Sequence, residues 1–471
     1  VQRMLAAPDV DHYHQPVAVV LAETFEQARA ASSLIRVDYA RSPGRFDLAE
    51  QLDSAPVAPQ MEFGGPTETQ VGDFDQAFAA AEVKVDETYT VPDQAHAMME
   101  PHATIAAWDG DRVTCWTSIQ QMNWGTRDLG LILGIPRENV RLISPFIGGG
   151  FGGKGTVQSD LVLATVAARM VRRPVKIALQ RPIMFNNTIH RPKTIQRIRL
   201  GASRDGRLKA VGHESWSGNL AGGRTEPTTL STRSLYAGAN RMTAVRLATL
   251  DLAEGNAMRA PGEAPGLMAL EIAMDEMAEK LGMDPVEFRI LNDTQVDPEN
   301  ADRPFSSRPF VECLRTGAER FGWSMRKSET GQVRDGDWLI GMGMAGAIRG
   351  APISKAGARV RLDRQGMLTV ETDMTDLGTG SYTIVQQTAA EMMGLPIDRV
   401  VAKLGDSSFP ETPGSGGQQG APSVTAGVYA ACTRLRAVVA QRLGFNAAEV
   451  EFIGGEVRSG NRRALLASAA A

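Results

Sequence analysis

Three glycine-rich loops are the segments of this sequence that most clearly indicate a binding or catalytic site. The first loop follows a strand-like run, and the other two precede helix-like runs. Glycine lets backbone N–H groups approach an anionic ligand closely, and the N-terminus of a helix adds a favourable partial positive charge. Together the loops predict a site for a large phosphorylated cofactor. They are residues 148–154 (GGGFGGK), residues 376–381 (DLGTGS) and residues 414–418 (GSGGQ).

The first loop also matches two commoner nucleotide-binding motifs in part. Gly148, Gly150 and Gly153 satisfy the pattern G-x-G-x-x-G, but no regular alternation of strands and helices surrounds them. The run from Gly148 to Lys154 fits the opening of a P-loop, yet Gly155 stands where that motif needs a Ser or Thr for Mg²⁺. A P-loop-like nucleotide-binding module therefore remains an alternative, as does a purely turn-forming role for the glycines.

Hairpins and amphipathic helices are predicted to position these loops. Each hairpin consists of two alternating runs joined by a short turn that contains glycine. The hairpins pair residues 104–108 with 112–116, 194–200 with 208–216, and 358–362 with 368–372. Helical periodicity covers residues 160–171, 267–281, 381–393 and 425–443. Hairpins mixed with helices, without a regular strand–helix–strand repeat, favour an α+β fold.

The domain organisation is predicted from changes in composition along the chain. An apolar run at residues 15–22, a helical pattern at residues 25–35 and a second short run at residues 37–39 predict two strands and a helix. Residues 1–45 are therefore interpreted as the remainder of a small α/β domain, and the polar, Pro- and Gly-containing residues 46–72 as a linker. A polar stretch at residues 328–336 then separates a domain of residues 73–327 from one of residues 337–471.

Composition narrows the range of partners. The formal net charge is −4 and the pI is near 6.0, whereas a nucleic-acid surface needs clustered Lys and Arg, so no nucleic-acid partner is expected. No apolar run approaches the roughly 20 residues that a membrane-spanning helix requires. Cys115, Cys313 and Cys432 lie far apart, which disfavours a disulfide framework and a cysteine-ligated zinc or iron–sulfur site within the chain.

Six segments, in this order, resemble the large subunits of the molybdenum hydroxylase (xanthine oxidase/aldehyde oxidase) family. Residues 254–294 and 372–381 are most similar to the periplasmic aldehyde oxidoreductase branch. The resemblance implies a hammerhead-like α/β domain at the start and two molybdopterin-binding α+β domains, the second truncated. The six segments are residues 94–108 (QAHAMMEPHATIAAW), 116–120 (WTSIQ), 148–154, 257–262 (AMRAPG), 274–292 (MDEMAEKLGMDPVEFRILN) and 376–383 (DLGTGSYT).

The resemblance also implies the cofactor, the reaction and the partners. The cofactor would be a molybdopterin cytosine dinucleotide whose molybdenum is held through the pterin dithiolene, so no protein metal ligand is expected. Aldehydes, aromatic ones in particular, would be oxidised to carboxylic acids with water as the oxygen source. Electrons would pass to a small subunit with [2Fe–2S] clusters and then to an FAD subunit. The complex would be periplasmic, exported with a partner that carries the signal.

Site residues follow from the same resemblance. Gln120 matches a glutamine near the molybdenum oxo ligand, and Arg259 matches the arginine of the family's active-site loop. Arg349 matches an arginine near the substrate, so the two arginines are the catalytic candidates. A lone loop arginine could instead form an ordinary salt bridge, and the matched context argues for a functional role mainly at Arg259. The cofactor-binding candidates are Gln120, Gly150, Phe151, Gly152, Gly153, Arg259, Gly378, Thr379, Gly380, Ser381, Gly416, Gly417 and Gln418.

One family feature is missing from the sequence, and it leaves alternatives open. The family's general base is a glutamate in a GVGE-like segment, which does not occur here. We therefore expect that the chain is a central fragment and that it would not turn over substrate by itself. The alternatives are a xanthine- or N-heterocycle-oxidising enzyme of the same family, the P-loop-like module, and a degenerate cofactor-binding scaffold without activity.

Overall fold

The computed structural model describes residues 4–6 and 8–470, which form two compact units. The first unit combines Ser42–Gln94 with His190–Gly350. The second combines Ala95–Ile189 with the residues that follow Gly350 and those that precede Ser42. Both units contain helices packed on sheets, which confirms the predicted α+β class. The domains predicted from composition are contiguous, whereas these units are not, and the predicted domain boundaries stay predictions.

The described residues form ten α-helices and nineteen β-strands. The helices are α1 (Phe25–Ser32), α2 (Phe74–Ala80), α3 (Met122–Leu133), α4 (Ser159–Val171), α5 (Arg181–Asn187), α6 (Glu263–Leu281), α7 (Pro285–Leu291), α8 (Phe310–Phe321), α9 (Ser381–Met393) and α10 (Gly420–Arg442). The strands are β1 (Glu68–Val71), β2 (Val83–Val91), β3 (Ala103–Asp109), β4 (Arg112–Thr117), β5 (Val140–Ile143), β6 (Val175–Ala178), β7 (Thr194–Ala202), β8 (Leu208–Asn219), β9 (Asn240–Thr249), β10 (Val296–Asp297), β11 (Asn300–Pro304), β12 (Val333–Asp335), β13 (Trp338–Ile340), β14 (Arg359–Leu362), β15 (Leu368–Glu371), β16 (Val400–Lys403), β17 (Glu451–Ile453), β18 (Glu456–Ser459) and β19 (Arg462–Leu465).

The first unit is built on a five-stranded sheet of order β1-β9-β8-β7-β2, in which only β8 and β9 are parallel. Helix α6 packs on β2 and β7. Its buried face includes Leu270, Met274 and Met277, which belong to one core with Ile198 and Leu200 of the sheet. Burying each such side chain stabilises the fold by about 1.5–3 kcal/mol relative to leaving it exposed. The long helix is therefore a fixed support for the loop that precedes it.

The second unit contains a four-stranded sheet, a mixed three-stranded sheet and a small antiparallel one. Helix α4 packs on the first, which has the order β5-β4-β3-β6. Helices α9 and α10 pack together with the second, of order β14-β15-β16. Their buried apolar residues form one core for each of these two sheets. The third sheet has the order β17-β18-β19.

The three predicted hairpins are all present. Strands β3 and β4 pair in antiparallel register, as do β7 with β8 and β14 with β15. Their turns place Gly110, Gly206 and Gly366 at positive φ (60°, 88° and 77°), which glycine adopts without steric cost. The four predicted helices are present too, with α6 and α10 beginning four to five residues earlier than periodicity indicated.

The strands predicted at residues 15–22 and 37–39 are wrong. Neither segment has regular secondary structure, and among the described residues no strand pairs with them. A strand needs a neighbour for its ladder hydrogen bonds, and Val17, Val19 and Leu21 remain 38–40% exposed. The predicted helix between them is confirmed as α1, although it buries no residue. The segment interpreted as a linker contains a 3-10 helix over Leu48–Ser54 and strand β1.

No helix among residues 4–6 and 8–470 has the length and apolar character that crossing a membrane requires.

Candidate functional site

Gln120 joins the three glycine-rich loops of the second unit. It lies after β4, and its side chain is almost fully buried. The amide oxygen accepts hydrogen bonds from the backbone N–H groups of Gly152 (3.0 Å) and Lys154 (3.3 Å) in the first loop. The amide nitrogen donates to the carbonyl of Ser415 (2.8 Å) in the third loop. Its backbone carbonyl accepts from the Thr375 hydroxyl (3.1 Å), immediately before the second loop.

Two glycines of the first loop allow this close packing. A Cβ on Gly150 would lie 2.5 Å from the amide oxygen of Gln120 and 2.9 Å from Leu377 of the second loop. A Cβ on Gly153 would lie 2.6 Å from the Met98 side chain. A Cβ carbon does not approach other heavy atoms so closely, so any larger residue at either position would displace its neighbours.

Between these glycines, Phe151 is exposed and Gly152 is half-buried. Phe151 has φ +55° and a side chain that is 42% exposed, and Gly152 has φ +101°. A bulky residue in the left-handed region is an outlier that persists only where its surroundings impose it. Here Gln120 provides that constraint, because it holds the N–H of Gly152 from the buried side. Phe151 is therefore exposed on a backbone that Gln120 fixes.

Lys154, at the end of the first loop, is fully buried and forms an ion pair with Glu100 at 2.5 Å. Glu100 also accepts the N–H of Gly148 at 2.8 Å. Burial raises the pKa of Glu100, but the hydrogen bonds from Lys154 and Gly148 outweigh it, and the net pKa lies below its usual range. The lysine is therefore committed to a carboxylate within the protein, whereas a P-loop lysine must reach a phosphate.

The second loop opens helix α9. Asp376 accepts the N–H groups of Gly378 (2.7 Å) and Tyr382 (3.3 Å), which fixes the turn. Gly378 and Gly380 have φ +87° and +81°, and a Cβ on either would meet no atom within 4 Å. Within the part of the chain that the structure describes, the backbone N–H groups of Thr379 and Gly380 have no hydrogen-bond acceptor. Amides of this kind at a helix N-terminus suit an anionic ligand.

The third loop precedes helix α10 and depends on a buried carboxylate. Asp373 accepts both the N–H (2.7 Å) and the hydroxyl (2.6 Å) of Thr412, and that hydroxyl accepts the N–H of Gly414 (3.2 Å). Burial raises the pKa of Asp373 to about 7. Gly416 is half-buried, and Gly417 and Gln418 are exposed beyond this anchored turn.

The remaining cofactor-binding candidate, Ser381, belongs to the second loop and is the first residue of α9. Its side chain is buried, and its hydroxyl lies 3.4 Å from that of Thr379.

Arg259 belongs to a loop of the first unit, immediately before α6. Its side chain is exposed, and the next residue, Ala260, has φ +64°. The side chain of Arg191 donates hydrogen bonds to the carbonyls of Met258, Arg259 (2.7 Å) and Ala260 (3.2 Å). The loop therefore presents the Arg259 side chain outward while its backbone is held from the buried side.

Arg349 lines a cavity of about 640 Å³ beside α6. Its guanidinium lies 3.5 Å from Glu263, the first residue of that helix. Ala260, next to Arg259, lines the same cavity. The remaining lining is mainly apolar and includes Leu267 and Ile348. The first unit thus brings both predicted catalytic arginines to the N-terminal end of α6.

Several supporting residues could not be recognised from the sequence. Arg191, Glu226 and Asp373 stand outside any motif, and their buried contacts join segments far apart in the chain. The Nε2–H of His102 donates to the carbonyl of Gly153 at 3.0 Å. Among the described residues, no three His, Cys, Asp or Glu side chains are grouped as metal ligands.

Comparison with known proteins identifies the family. Two family models described as "Molybdopterin cofactor-binding domain" match residues 58–293, about half of the chain, and residues 316–471. The chain belongs to the molybdopterin cofactor-binding domain family. A third model, described as the aldehyde oxidase and xanthine dehydrogenase a/b hammerhead domain, matches residues 1–43. The predicted membership of the xanthine oxidase family is confirmed, as is a hammerhead domain at the N-terminal end.

Curated relatives and solved structures agree with this assignment. The aldehyde oxidoreductase molybdenum-binding subunit PaoC of Escherichia coli K12 is 57% identical over 469 residues, which cover 100% of this chain and 64% of PaoC. The chain thus spans less than two thirds of that relative. The putative xanthine dehydrogenase molybdenum-binding subunit XdhA of the same organism is 29% identical over 439 residues, 88% of this chain and 57% of XdhA.

The solved structures confirm the fold. Quinoline 2-oxidoreductase from Pseudomonas putida 86 superposes with a TM-score of 0.80 at 19% identity, over 95% of this chain and 62% of that one. The aldehyde oxidoreductase from Desulfovibrio gigas superposes with a TM-score of 0.73 at 21% identity, over 89% of this chain and 48% of that one.

Proposed function

We propose that the chain is part of the molybdenum-cofactor subunit of an aldehyde oxidoreductase. The reaction converts an aldehyde and water into a carboxylic acid, two protons and two electrons, with aromatic aldehydes as the preferred class. The observation that carries the proposal is the connection of three glycine-rich loops through Gln120. It places the exposed amides before α9 and the fixed, exposed Phe151 in one unit, which suits a large anionic cofactor.

The residues fit a molybdopterin dinucleotide. The open amides of Thr379 and Gly380 at the start of α9 would bind its phosphates, with Gly378 and Ser381 shaping that turn. Gly416, Gly417 and Gln418 would contribute in the same way. Phe151 and Gly152 would lie at the metal end of the cofactor, and the amide of Gln120 would hold their backbone from the buried side. When bound, the cofactor supplies the centre that accepts the two electrons; the nucleotide is proposed to be cytosine.

The choice of aldehyde over purine or another N-heterocycle rests on sequence similarity. Identity is 57% to the PaoC subunit, against 29% to the XdhA subunit over a similar length. Arg259 and Arg349 would supply positive charge near the carbonyl oxygen, where negative charge develops as oxygen adds to the aldehyde carbon. The cavity beside Arg349 is lined mainly by apolar side chains, which suits an aromatic ring.

Partners and location extend the proposal to the whole complex. The electrons would pass to an iron–sulfur subunit and then to an FAD subunit, since the chain contains no cysteine cluster of its own that could hold an iron–sulfur centre. A periplasmic location, reached together with a partner that is exported, is part of the same proposal.

Two other functions are disfavoured by particular observations. A P-loop-like module would need Lys154 at a phosphate, but this lysine is buried against Glu100. A degenerate scaffold without activity does not require Arg259 to be exposed on a loop that the buried Arg191 fixes by hydrogen bonds. Both alternatives predict a complex that does not oxidise aldehydes.

Substrate turnover in isotopic water tests the proposal. We expect the full-length protein, purified in its native complex, to oxidise benzaldehyde to benzoate and to leave xanthine unchanged. The new oxygen of benzoate should carry the ¹⁸O of the water, corrected for exchange of the aldehyde oxygen. Oxidation of xanthine in preference to benzaldehyde would support the N-heterocycle alternative. No turnover of either substrate by a fully loaded complex would contradict the proposal.

A further inference from the structure

Arg191 lies beneath the loop that carries Arg259 and contacts three consecutive residues of it. One terminal nitrogen of the guanidinium donates to the carbonyls of Met258, Arg259 (2.7 Å) and Ala260 (3.2 Å). The other terminal nitrogen donates to the side-chain oxygen of Gln94 at 2.7 Å. A single side chain therefore ties the backbone on both sides of Arg259 to a residue far away in sequence.

Arg191 is itself fixed in place. The residue is only 4% exposed, and its backbone forms reciprocal hydrogen bonds with Gln94 (2.9 and 3.0 Å). Its guanidinium lies 3.5 Å from the carboxylate of Glu226, whose side chain is 1% exposed. A buried arginine costs free energy unless its charge is balanced and its donors are used. Here Glu226 lies beside the charge and both terminal nitrogens are hydrogen-bonded, whereas the buried Nε has no hydrogen-bond partner among the described residues.

Two glutamate side chains hold the ends of the same loop. Glu226 accepts the N–H of Gly262 at 2.7 Å, and Glu62 accepts the N–H of Ala257 at 3.1 Å. Between these ends, Ala260 has φ +64°, a conformation that costs a residue other than glycine about 1–3 kcal/mol. The loop keeps this strained shape because both of its ends and its middle are hydrogen-bonded to buried side chains.

We propose that Arg191 is the positioning residue for Arg259. By fixing the carbonyls of residues 258–260, it sets the direction in which the Arg259 side chain leaves the loop. The inference rests on the proposed function, in which Arg259 acts on the aldehyde. Lysine cannot replace Arg191, because an ammonium group lacks the planar fork that reaches three carbonyls and Gln94 at once.

A charge-conserving variant tests the proposal in the full-length protein in its native complex. We expect Arg191→Lys to lower kcat/KM for benzaldehyde by about tenfold or more, since small displacements of a positioned group cost up to about a hundredfold. Arg241→Lys is the matched control. Arg241 is also fully buried and donates to loop carbonyls, those of Thr232, Tyr236 and Gly238, but it does not contact residues 257–262. It should lower Tm and leave kcat/KM unchanged.

A double-mutant cycle separates positioning from general destabilisation. If Arg191 acts through Arg259, Arg191→Lys should change kcat/KM less than about twofold in an Arg259→Ala background. An equal loss of activity in both backgrounds would overturn the proposal. So would equal losses from Arg191→Lys and Arg241→Lys.

Hydrogen exchange provides a readout that does not depend on turnover. We expect the N–H groups of Ala257 and Gly262 to exchange faster in Arg191→Lys than in Arg241→Lys, because only the first change releases their loop. Equal exchange in the two variants would contradict the proposal. If the wild-type complex fails to oxidise aldehydes, the proposed function fails, while this exchange still tests whether Arg191 holds the loop.

Discussion

At the scale of single residues, the candidate cofactor site depends on one position where no side chain fits. Gly150 faces the amide oxygen of Gln120, and the same oxygen holds the N–H groups of Gly152 and Lys154. Any Cβ at position 150 must push Gln120 away from these donors. A side chain at position 150 would therefore disturb the geometry of the loops that Gln120 joins.

Gly150→Ala should therefore reduce cofactor binding. We expect a loss of about 1–3 kcal/mol in the free energy of unfolding from overpacking, and a clear fall in bound molybdenum. Gly317→Ala is the matched control, because Gly317 lies within α8 and a Cβ there meets no atom within 4 Å. It should raise stability by about 0.5–1 kcal/mol through helix propensity and leave the metal content unchanged. Full metal content in Gly150→Ala would contradict this account of the loop.

Residue types and spacing made part of this site predictable. Gln120, Gly150, Phe151 and Gly152 lie close together as their matched segments implied, although their roles stay predictions. The supporting contact between Arg191 and residues 258–260 could not be foreseen. It joins segments almost 70 positions apart in the chain through backbone carbonyls, which every residue possesses, so no residue type marks it in the sequence.

At the scale of elements, the turn before α10 is held in place by a titratable side chain. Asp373, beyond β15, holds Thr412 through two hydrogen bonds, and burial raises its pKa from 3.8 to about 7. Between these pH values the folded protein retains a proton that the unfolded chain releases. Stability contributed by this group is therefore present at low pH and is lost as pH rises from about 4 to about 7.

Asp373→Asn should remove this group's contribution to the dependence of stability on pH. Asparagine keeps an oxygen that can accept both bonds from Thr412 but carries no charge. We expect the variant to gain stability relative to wild type as pH rises from 4 to 7, by about 4 kcal/mol at most. Asp363→Asn, at the exposed turn between β14 and β15, is the control and should show no such trend. Parallel curves of Tm against pH for wild type and Asp373→Asn would refute the prediction.

Elements whose partners are close in sequence were the most predictable. The hairpin of β3 and β4 is specified by its own alternation and by Gly110, so its prediction needed no knowledge of the rest of the fold. The strand predicted at residues 15–22 has a comparable apolar run, but among the described residues it finds no pairing neighbour. The hydrophobic pattern of a segment indicates only its tendency to form a strand. The hydrogen bonds that complete a strand require a second segment beside it.

At the scale of the whole molecule, the three cysteines lie in different environments. Cys115 and Cys432 are fully buried, and burial raises their thiol pKa values to about 11 and about 12. Cys313 lies on α8 and is exposed. Thiol alkylation requires the thiolate and access to it, so these differences predict distinct reactivities.

Native alkylation with iodoacetamide, followed by peptide mass spectrometry, should modify Cys313 and spare Cys115 and Cys432. Denaturation should expose all three, which serves as the control for reagent and detection. Because α8 lies outside the glycine-rich loops, labelling Cys313 should leave the molybdenum content unchanged. Rapid modification of Cys115 in the native protein would show that the core of β3, β4 and α4 is more open than this structure has it.

The most direct test of the central claim is the molybdenum and nucleotide content of the full-length protein, measured for the wild type and for Gln120→Ala. The wild type, matured in its native host, should contain molybdenum and acid-released CMP in equal amounts. Gln120→Ala should lose most of both, since it removes the side chain that joins the first and third loops. Neither molybdenum nor CMP in the wild type, or full content of both in the variant, would contradict the account.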